Sequence, residues 1–346
     1  MPSPFVSILL PIRNESANIK RSLRAVLTQD YPVERMEVLI ADGMSTDNTR
    51  AIIHDFRKDY PNLCIYILDN PGKIVPSGMN IALRQAKGDV IIRVDGHCII
   101  APDYVRKCVE HLQNDHVDGV GGPMESIGET YTAKVIAIGM SSPFGVGNSA
   151  FRTTSGKTML VDTVPFPAYT RQIIERVGLY DEELVRNQDD EYNYRIRKAG
   201  GNILLADDVR SKYFNRASLK GLWRQYYQYG FWKVRVLQKH PRQMSLRQFV
   251  PLAFVLSLLT SLIFVLLPSF SYLSLFIPIL YIFANLLASV LTAAKNGWQY
   301  LSLLSITFVI LHISYGVGFL AGLVKFWNRW GDKIGKTPVW SSETIG

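Results

Sequence analysis

The sequence predicts an α/β head built on a mostly parallel sheet, followed by membrane segments on its C-terminal side, and three observations carry that reading. Apolar, β-rich runs alternate with stretches of helical period through the first 125 residues. From Val209 to Gly331 the chain has no Asp or Glu, while Arg210, Lys212, Arg216, Lys220, Arg224, Lys233, Arg235, Lys239, Arg242 and Arg247 supply positive charge. Three long uncharged apolar runs then follow that basic belt.

In chain order, strands are expected at Val6–Pro11, Glu37–Ala41, Cys64–Leu68, Val90–Val94 and Gly119–Met124. Helices are expected between them near 16–28, 46–59, 76–87 and 102–114. Strand–helix alternation of this kind gives a Rossmann-like sheet with helices on both faces, and ligands of such sheets sit at the carboxyl ends of the strands. Polar residues cluster at those ends: Arg13, Asn14 and Glu15 after the first strand, Asp42 and Gly43 after the second, and Asp95, Gly96 and His97 after the fourth. Any one of them reads equally as a cap or turn former; three strand ends facing one crevice read as a binding site.

No GxGxxG follows the first strand, where "PIRNES" stands instead, so a nicotinamide-dependent enzyme is disfavoured. On spacing alone, Asp95 and His97 in "RVDGHC" are either two ligands for one divalent ion, brought together by a turn at Gly96, or an acid beside a structural histidine. "QDDE" at 188–191 similarly reads either as the solvated first turn of a helix or as the carboxylates of an active site.

The apolar runs cover 249–268, 270–294 and 301–324, each close to the ~20 residues that cross a bilayer core. The net charge of +9 is concentrated beside them, which points to anionic lipid head groups rather than nucleic acid. "MPSPFVSILLPIRNE" has no basic n-region, so it does not read as a secretory signal and the head is expected to face the cytoplasm of an inner membrane. Cys64, Cys98 and Cys108 form no CxxC pair and suit reduced thiols; the "NES" sequon at 14–16 would then never meet glycosylation machinery. The basic tail should lie inside, yet three crossings would put it outside, so one run is expected to be re-entrant or interfacial, with Pro251 and Pro278 as the markers. The expected domains are a head at 1–215, basic aromatic interfacial helices at 216–247, membrane segments at 248–325 and a basic tail at 326–346.

"SILLPIRNE", "VLIADGMSTDNT", "GMNIALRQAKGDVIIRVDGH" and "NQDDEYNYRIRKAGG" resemble the successive motifs of inverting family 2 glycosyltransferases with the GT-A fold. More narrowly, "VDTVPFPAYTR" (161–171) and "QYYQYGFWKVRVLQKHP" (225–241) resemble the membrane-anchored succinoglycan-biosynthesis type. The match runs from about Ser7 to Pro241.

The resemblance implies a UDP-sugar donor bordered by Pro11, Arg13 and Glu15, with Asp42 on the uracil and Lys73 and Asn80 toward phosphate or sugar. It places the D-x-D metal motif on Asp95 and His97, so the second acid is a histidine, and it implies Mn²⁺ or Mg²⁺ as the ion. It makes Asp189 the base, with Gln188 in place of the family's glutamate and with Glu191 and Arg195 in support; an ion pair between the last two is the bland reading of their i,i+4 spacing. The cations around "QDDE" are expected to help keep the acids ionised. Segment 161–171 is expected to wall the acceptor side, with Arg171 on an acceptor phosphate, and "GVGNSAFR" (145–152) to be a mobile loop.

Gln225 begins a sequence similar to the Q-x-x-R-W of processive members but lacks its Arg-Trp ending, which favours addition of one sugar. The implied function is transfer of one hexose to a lipid-linked saccharide in bacterial exopolysaccharide or surface-glycan assembly, at a membrane and beside other assembly partners. A polyprenyl phosphate acceptor is the alternative within enzymes. An inactive nucleotide-binding scaffold is the alternative outside them, and Asp42, Asp95 and Asp189 together argue against it.

Overall fold

The computed structural model describes residues 3–147, 149–154, 156–215, 217–265 and 274–333. The chain begins with β1 (Val6–Ile12), α1 (Ile19–Leu27), β2 (Met36–Asp42), α2 (Thr49–Asp59), β3 (Cys64–Asp69), α3 (Val75–Gln85) and β4 (Val90–Arg93). Then come β5 (Cys98–Ile100), α4 (Tyr104–Asn114), β6 (Gly119–Gly121), β7 (Met124–Ile127), α5 (Tyr131–Met140), α6 (Pro143–Val146), α7 (Ala150–Thr153), β8 (Met159–Leu160) and β9 (Ala168–Thr170). The remainder is α8 (Arg171–Val177), α9 (Gln188–Lys198), β10 (Ile203–Leu205), β11 (Ser211–Phe214), α10 (Leu219–Lys239), α11 (Val250–Val265), α12 (Phe276–Asn296) and α13 (Leu301–Lys325).

Two units divide these elements: 1–125 with 154–213, and 126–153 with 214–333. The first unit holds a sheet of order β3-β2-β1-β4-β9-β6-β10-β8, parallel except where β9 and β8 run against their neighbours. In β1 all seven residues of VSILLPI are buried, as a central strand covered on both faces requires, whereas β3 at the edge is only partly covered. α1 buries Ile19, Ser22, Leu23, Val26 and Leu27, the one-sided stripe of a helix lying on a sheet. The register sets Ile12 beside Asp42 and Leu9 beside Arg93, so β1, β2 and β4 deliver their last residues to one edge.

The expected strand at 119–124 is instead β6 and β7, interrupted around Pro123, which has no N–H to give to a ladder. Segment 161–171 contains β9, an interior strand antiparallel to both β4 and β6, where sequence reading set a wall of the acceptor site.

The second unit consists of α10 to α13 together with the inserted stretch that carries α5, α6 and α7. This differs from the expected boundary at 215, because 126–153 groups with the membrane segments rather than the head. His312 shows how: its Nε2 lies 2.8 Å from the Phe144 carbonyl and its Nδ1 2.9 Å from the Tyr281 hydroxyl. A carbonyl only accepts, so Nε2 carries the proton and Nδ1 accepts from Tyr281, pinning α6 to α12 and α13. Gly145, in the stretch read as a mobile loop, is buried in that packing.

α10 is a single 21-residue helix packed along α13 rather than a helix lying free at the lipid surface. A Cβ on Gly318 would fall 2.1 Å from the Tyr227 carbonyl oxygen, and one on Gly230 would fall 2.0 Å from that of Tyr315. The two backbones touch there, as small residues allow in membrane helix pairs. Arg235 is fully buried between them, giving hydrogen bonds to Gln238 at 2.6 Å and to the Arg329 carbonyl at 3.3 Å.

Among the described residues, two helices are long and apolar enough to cross a membrane, Phe276–Asn296 and Trp298–Lys325. α12 shows Phe276, Ile279, Leu280, Ile282, Phe283, Leu286, Leu287 and Leu291 outward, the face of a helix that meets lipid. α11 is described from Val250 to Val265, and the rest of the first apolar run, 266–268, lies outside the described residues. Residues 266–273, between α11 and α12, and residues 334–346 of the expected tail lie outside the described residues.

Candidate active site

At the carboxyl edge, the loops after β1 and β2 are laced together. The Asn14 amide donates to Ser45 Oγ at 2.9 Å, Asn14 Oδ1 accepts from the Thr46 amide at 2.8 Å, and the Glu15 amide donates to Thr49 Oγ1 at 2.8 Å. Asp42, wholly buried, accepts from the Ser45 amide at 3.0 Å, from the Ser45 hydroxyl and from Arg50, which also reaches Asp69. Arg50 and Asp69 were not singled out in the sequence, although Arg50 stands eight residues after Asp42 on the first turn of a helix. Arg13 is exposed and lines Gly43, whereas Pro11 is buried in β1 opposite Ala41 and serves the sheet.

The turn after β4 presses on the loop after β1. A Cβ on Gly96 would lie 2.9 Å from Glu15 Cγ and 3.0 Å from Ile12 Cγ2, so glycine lets this turn pack tightly against the end of β1 and the loop after it. His97 Nδ1 lies 2.9 Å from Glu15 Oε1, with the Tyr213 ring edge-on at 5.0 Å. The carboxylate engages Nδ1 and leaves Nε2 as the ring nitrogen that could coordinate an ion, the kind of support metal-binding histidines have.

Opposite stands α9. Asn187 adopts a left-handed conformation (φ 62°), which asparagine tolerates, and swings the chain so that Gln188, Asp189, Asp190 and Glu191 open the helix. Glu191 and Arg195 form a two-pronged ion pair at 2.7 and 3.1 Å. Arg195 also donates to the carbonyls of Val177 at 2.7 Å and Leu179 at 2.9 Å and covers the Tyr192 ring at 4.8 Å. This pair anchors the helix; it does not face an open crevice. Arg197 stacks over Tyr194 at 5.8 Å.

The cation that reaches Asp189 comes from elsewhere. Arg93, the last residue of β4 and 7% exposed in its side chain, donates through Nε to Asp95 Oδ1 at 2.9 Å, with Nη2 also 2.9 Å from that oxygen, and through Nη1 to Asp189 Oδ1. The strand-end acid and the helix acid are thus joined by one guanidinium, a bridge for which "VIIRVDG" left a visible trace: a lone charge inside an apolar strand.

Asp189 keeps 37% of its side chain open, and Gln188 Nε2 lies 3.5 Å from its Oδ2. Burial beside Tyr169 and Tyr180, whose own hydroxyls it pushes well above their ordinary value, raises the Asp189 pKa to about 6. Arg93 opposes the rise, and Asp95 and Asp190 add to it.

Asn80 is buried as a clamp, giving to the Tyr180 carbonyl and to Glu182 Oε1, both at 2.9 Å, and taking the Tyr180 amide at 2.8 Å. It shapes the approach to α9 rather than lying open to a ligand. Lys73 is exposed on the turn that Asn70 organises. Arg171 is spent at the opposite end of β4, on the carbonyls of Ala86 and Gly88, both at 2.7 Å, so the structure does not bring it to Asp95 or Asp189. Gln225 belongs to the second unit, where it donates to Tyr229 Oη at 2.9 Å.

Among the described residues no three His, Cys, Asp or Glu side chains converge on one point. The donors present, Asp95 and a carboxylate-oriented His97, fit an ion whose remaining ligands are phosphate oxygens, as Mg²⁺ and Mn²⁺ sites on nucleotides commonly do.

A parallel sheet whose loops carry acids to the carboxyl edge, with an acid-led helix facing them, defines a GT-A glycosyltransferase head. The chain belongs to glycosyl transferase family 2, whose pattern matches residues 7–179. It is 32% identical over 255 residues to the succinoglycan biosynthesis protein ExoA of Rhizobium meliloti (strain 1021), covering 71% of this chain and 74% of that one. A second relative, 29% identical over 329 residues, 93% of this chain and 98% of its own length, is the dolichyl N-acetyl-alpha-D-glucosaminyl phosphate 3-beta-D-2,3-diacetamido-2,3-dideoxy-beta-D-glucuronosyltransferase of Methanococcus voltae. Among solved structures, the mannosyltransferase PcManGT of Pyrobaculum calidifontis, in complex with GDP-Man and Mn²⁺, superposes with a TM-score of 0.56 over 90% of this chain and 87% of its own at 18% identity, a likeness of fold.

Proposed function

We propose that this protein transfers one hexose, with inversion, from a UDP-sugar to a lipid-linked saccharide in the assembly of a surface glycan. The observation that carries the reading is the bridge that draws Asp95 and Asp189 to one guanidinium, since a single displacement needs a donor-holding acid and a base on opposite sides of the anomeric carbon. As the bond from the acceptor oxygen to that carbon forms and the bond to the diphosphate breaks, the acceptor's proton passes to Asp189. Arg93 occupies Oδ1, which leaves Oδ2 to take the proton. Glu191 and Arg195 act as positioning residues by fixing α9 to the segment at 177–179.

Asp95 and His97 would hold Mn²⁺ or Mg²⁺ together with the diphosphate. The ion supplies positive charge against the charge growing on the leaving group. Arg13 and Glu15 would border the nucleoside, with Asp42 buried behind them holding Arg50 and the Ser45 loop in place.

The Methanococcus relative, named for transfer onto a dolichyl-linked sugar phosphate, supports a lipid-linked saccharide over polyprenyl phosphate itself. The candidate spans α12 and α13 support a membrane setting. The missing Arg-Trp after Gln225 supports a single addition.

The test is nucleotide release by the detergent-purified protein, offered UDP-sugars and GDP-mannose with a membrane lipid extract, with Mn²⁺, Mg²⁺ or EDTA. Metal-dependent release from one UDP-sugar, lowered on the order of 10²–10⁴-fold in Asp189→Asn with UDP binding kept, is the expected result. Binding of UDP with no turnover on any sugar would instead make the head a scaffold, and near-normal turnover in Asp189→Asn would remove the base from this residue.

A further inference from the structure

Arg93 is buried at the end of an interior strand, where a charge is costly unless it is paired, and both of its partners are acids of the site. Its own amide donates to the Pro167 carbonyl at 3.0 Å, which ties the end of the strand to its neighbour beneath the guanidinium. The same Asp95 oxygen accepts from Nε and lies 2.9 Å from Nη2. A divalent ion brought to Asp95 would meet a fixed positive charge already in contact with its ligand, in a setting where screening is weak.

We propose that Arg93 is an internal cation that competes with the divalent metal for Asp95, bridging the two acids while the donor site is empty and passing to Asp189 alone when a metal-bearing diphosphate arrives. The inference rests on the assignment of the metal to Asp95. Two consequences follow from the geometry. Free metal binds weakly until the diphosphate supplies its own oxygens, so metal and nucleotide reinforce one another. Once Asp95 is given up, Arg93 has a single carboxylate to hold, and the base is fixed in place only when a donor is there to be attacked. Arg93 is a positioning residue in this scheme and touches no reacting atom.

The competition gives two variants of opposite sign, measured on the full-length protein in detergent by the paramagnetic resonance of free Mn²⁺ without nucleotide. Arg93→Gln removes the competitor, so Mn²⁺ should bind on the order of tenfold tighter, and the further gain on adding UDP should shrink. Its turnover should fall while the KM for donor does not rise, and Arg93→Lys, which keeps a cation, should lie between it and the parent. Asp189→Asn leaves Arg93 with Asp95 as its one charged partner, so Mn²⁺ should bind more weakly although Asp189 is no metal ligand.

Unchanged or weaker Mn²⁺ binding in Arg93→Gln that still binds UDP overturns the proposal. If that variant does not fold, unchanged or tighter Mn²⁺ binding in Asp189→Asn overturns it equally. Asp95→Asn separates the two readings. Loss of Mn²⁺ binding there, with no effect of Arg93, sinks the competition alone; retention of Mn²⁺ binding sinks the metal assignment and the competition with it.

Discussion

The acid side of the pH profile is set by one carboxylate, and its position can be worked out from the structure. The Asp189 pKa is raised to about 6, first by burial, against the pull of Arg93 and with help from Asp95 and Asp190. A base must be ionised to accept a proton, so a group with that value is about nine-tenths competent at pH 7 and about one-tenth competent at pH 5. Turnover efficiency should therefore fall about tenfold between those pH values; an aspartate at its ordinary value near 3.9 would lose less than about a tenth.

The assay is nucleotide release at subsaturating donor from pH 5 to 8, with UDP binding followed at each pH to show that the head remains folded. Asp190→Asn removes one of the charges that raise the pKa, so the acid limb should move to lower pH with the plateau kept. A profile flat down to pH 5, or an acid limb that stays put in Asp190→Asn, would refute the assignment. Stability should move the other way. The folded state holds the Asp189 proton more tightly than the unfolded chain does, so this contribution is complete below about pH 4 and is lost as pH rises through about 6.

Asp42→Asn removes the charge that Arg50 and the Ser45 loop are built around, so donor KM should rise about tenfold with a smaller change in kcat, read by UDP titration calorimetry alongside kinetics. Glu191→Gln leaves the Arg195 guanidinium without its charged partner under Tyr192 and should cost about 3–5 kcal/mol of stability, seen as an earlier thermal transition in detergent. Gly318→Val drives a side chain into the Tyr227 carbonyl and should destabilise the α10–α13 pair by about 1–3 kcal/mol or more, with a lowered unfolding temperature and UDP affinity unchanged.

Much of the head was legible in the chain because its signals are local. Four expected strands lie within a residue or so of β1 to β4, since runs such as VSILLPI bury every side chain and have no other use in a parallel sheet. The strand-end polar residues were visible for the same reason: in such a sheet, position along a strand already says which edge a loop serves. Local spacing also found the Glu191–Arg195 pair, four apart on one helix. Of the cations around "QDDE", Arg195 pairs with one of its acids, Glu191, but local spacing did not name the cation on Asp189. Arg195 turns to Glu191 and two carbonyls, while the cation on Asp189 arrives from β4.

By itself, then, the sequence determined an α/β head with acids at the carboxyl edge of its sheet, an acid-led helix in the right order after them, and an apolar, acid-free region able to enter a membrane. These follow from periodicity and composition, which neighbouring residues carry among themselves. Only the tertiary structure decided that Arg93 joins Asp95 to Asp189, that Arg171 and Asn80 are spent on main chain, that 126–153 packs with the membrane helices, and that α10 lies backbone to backbone along α13. Each of these is a pairing of groups far apart along the chain, selected because a buried charge or carbonyl must find a partner wherever the fold provides one.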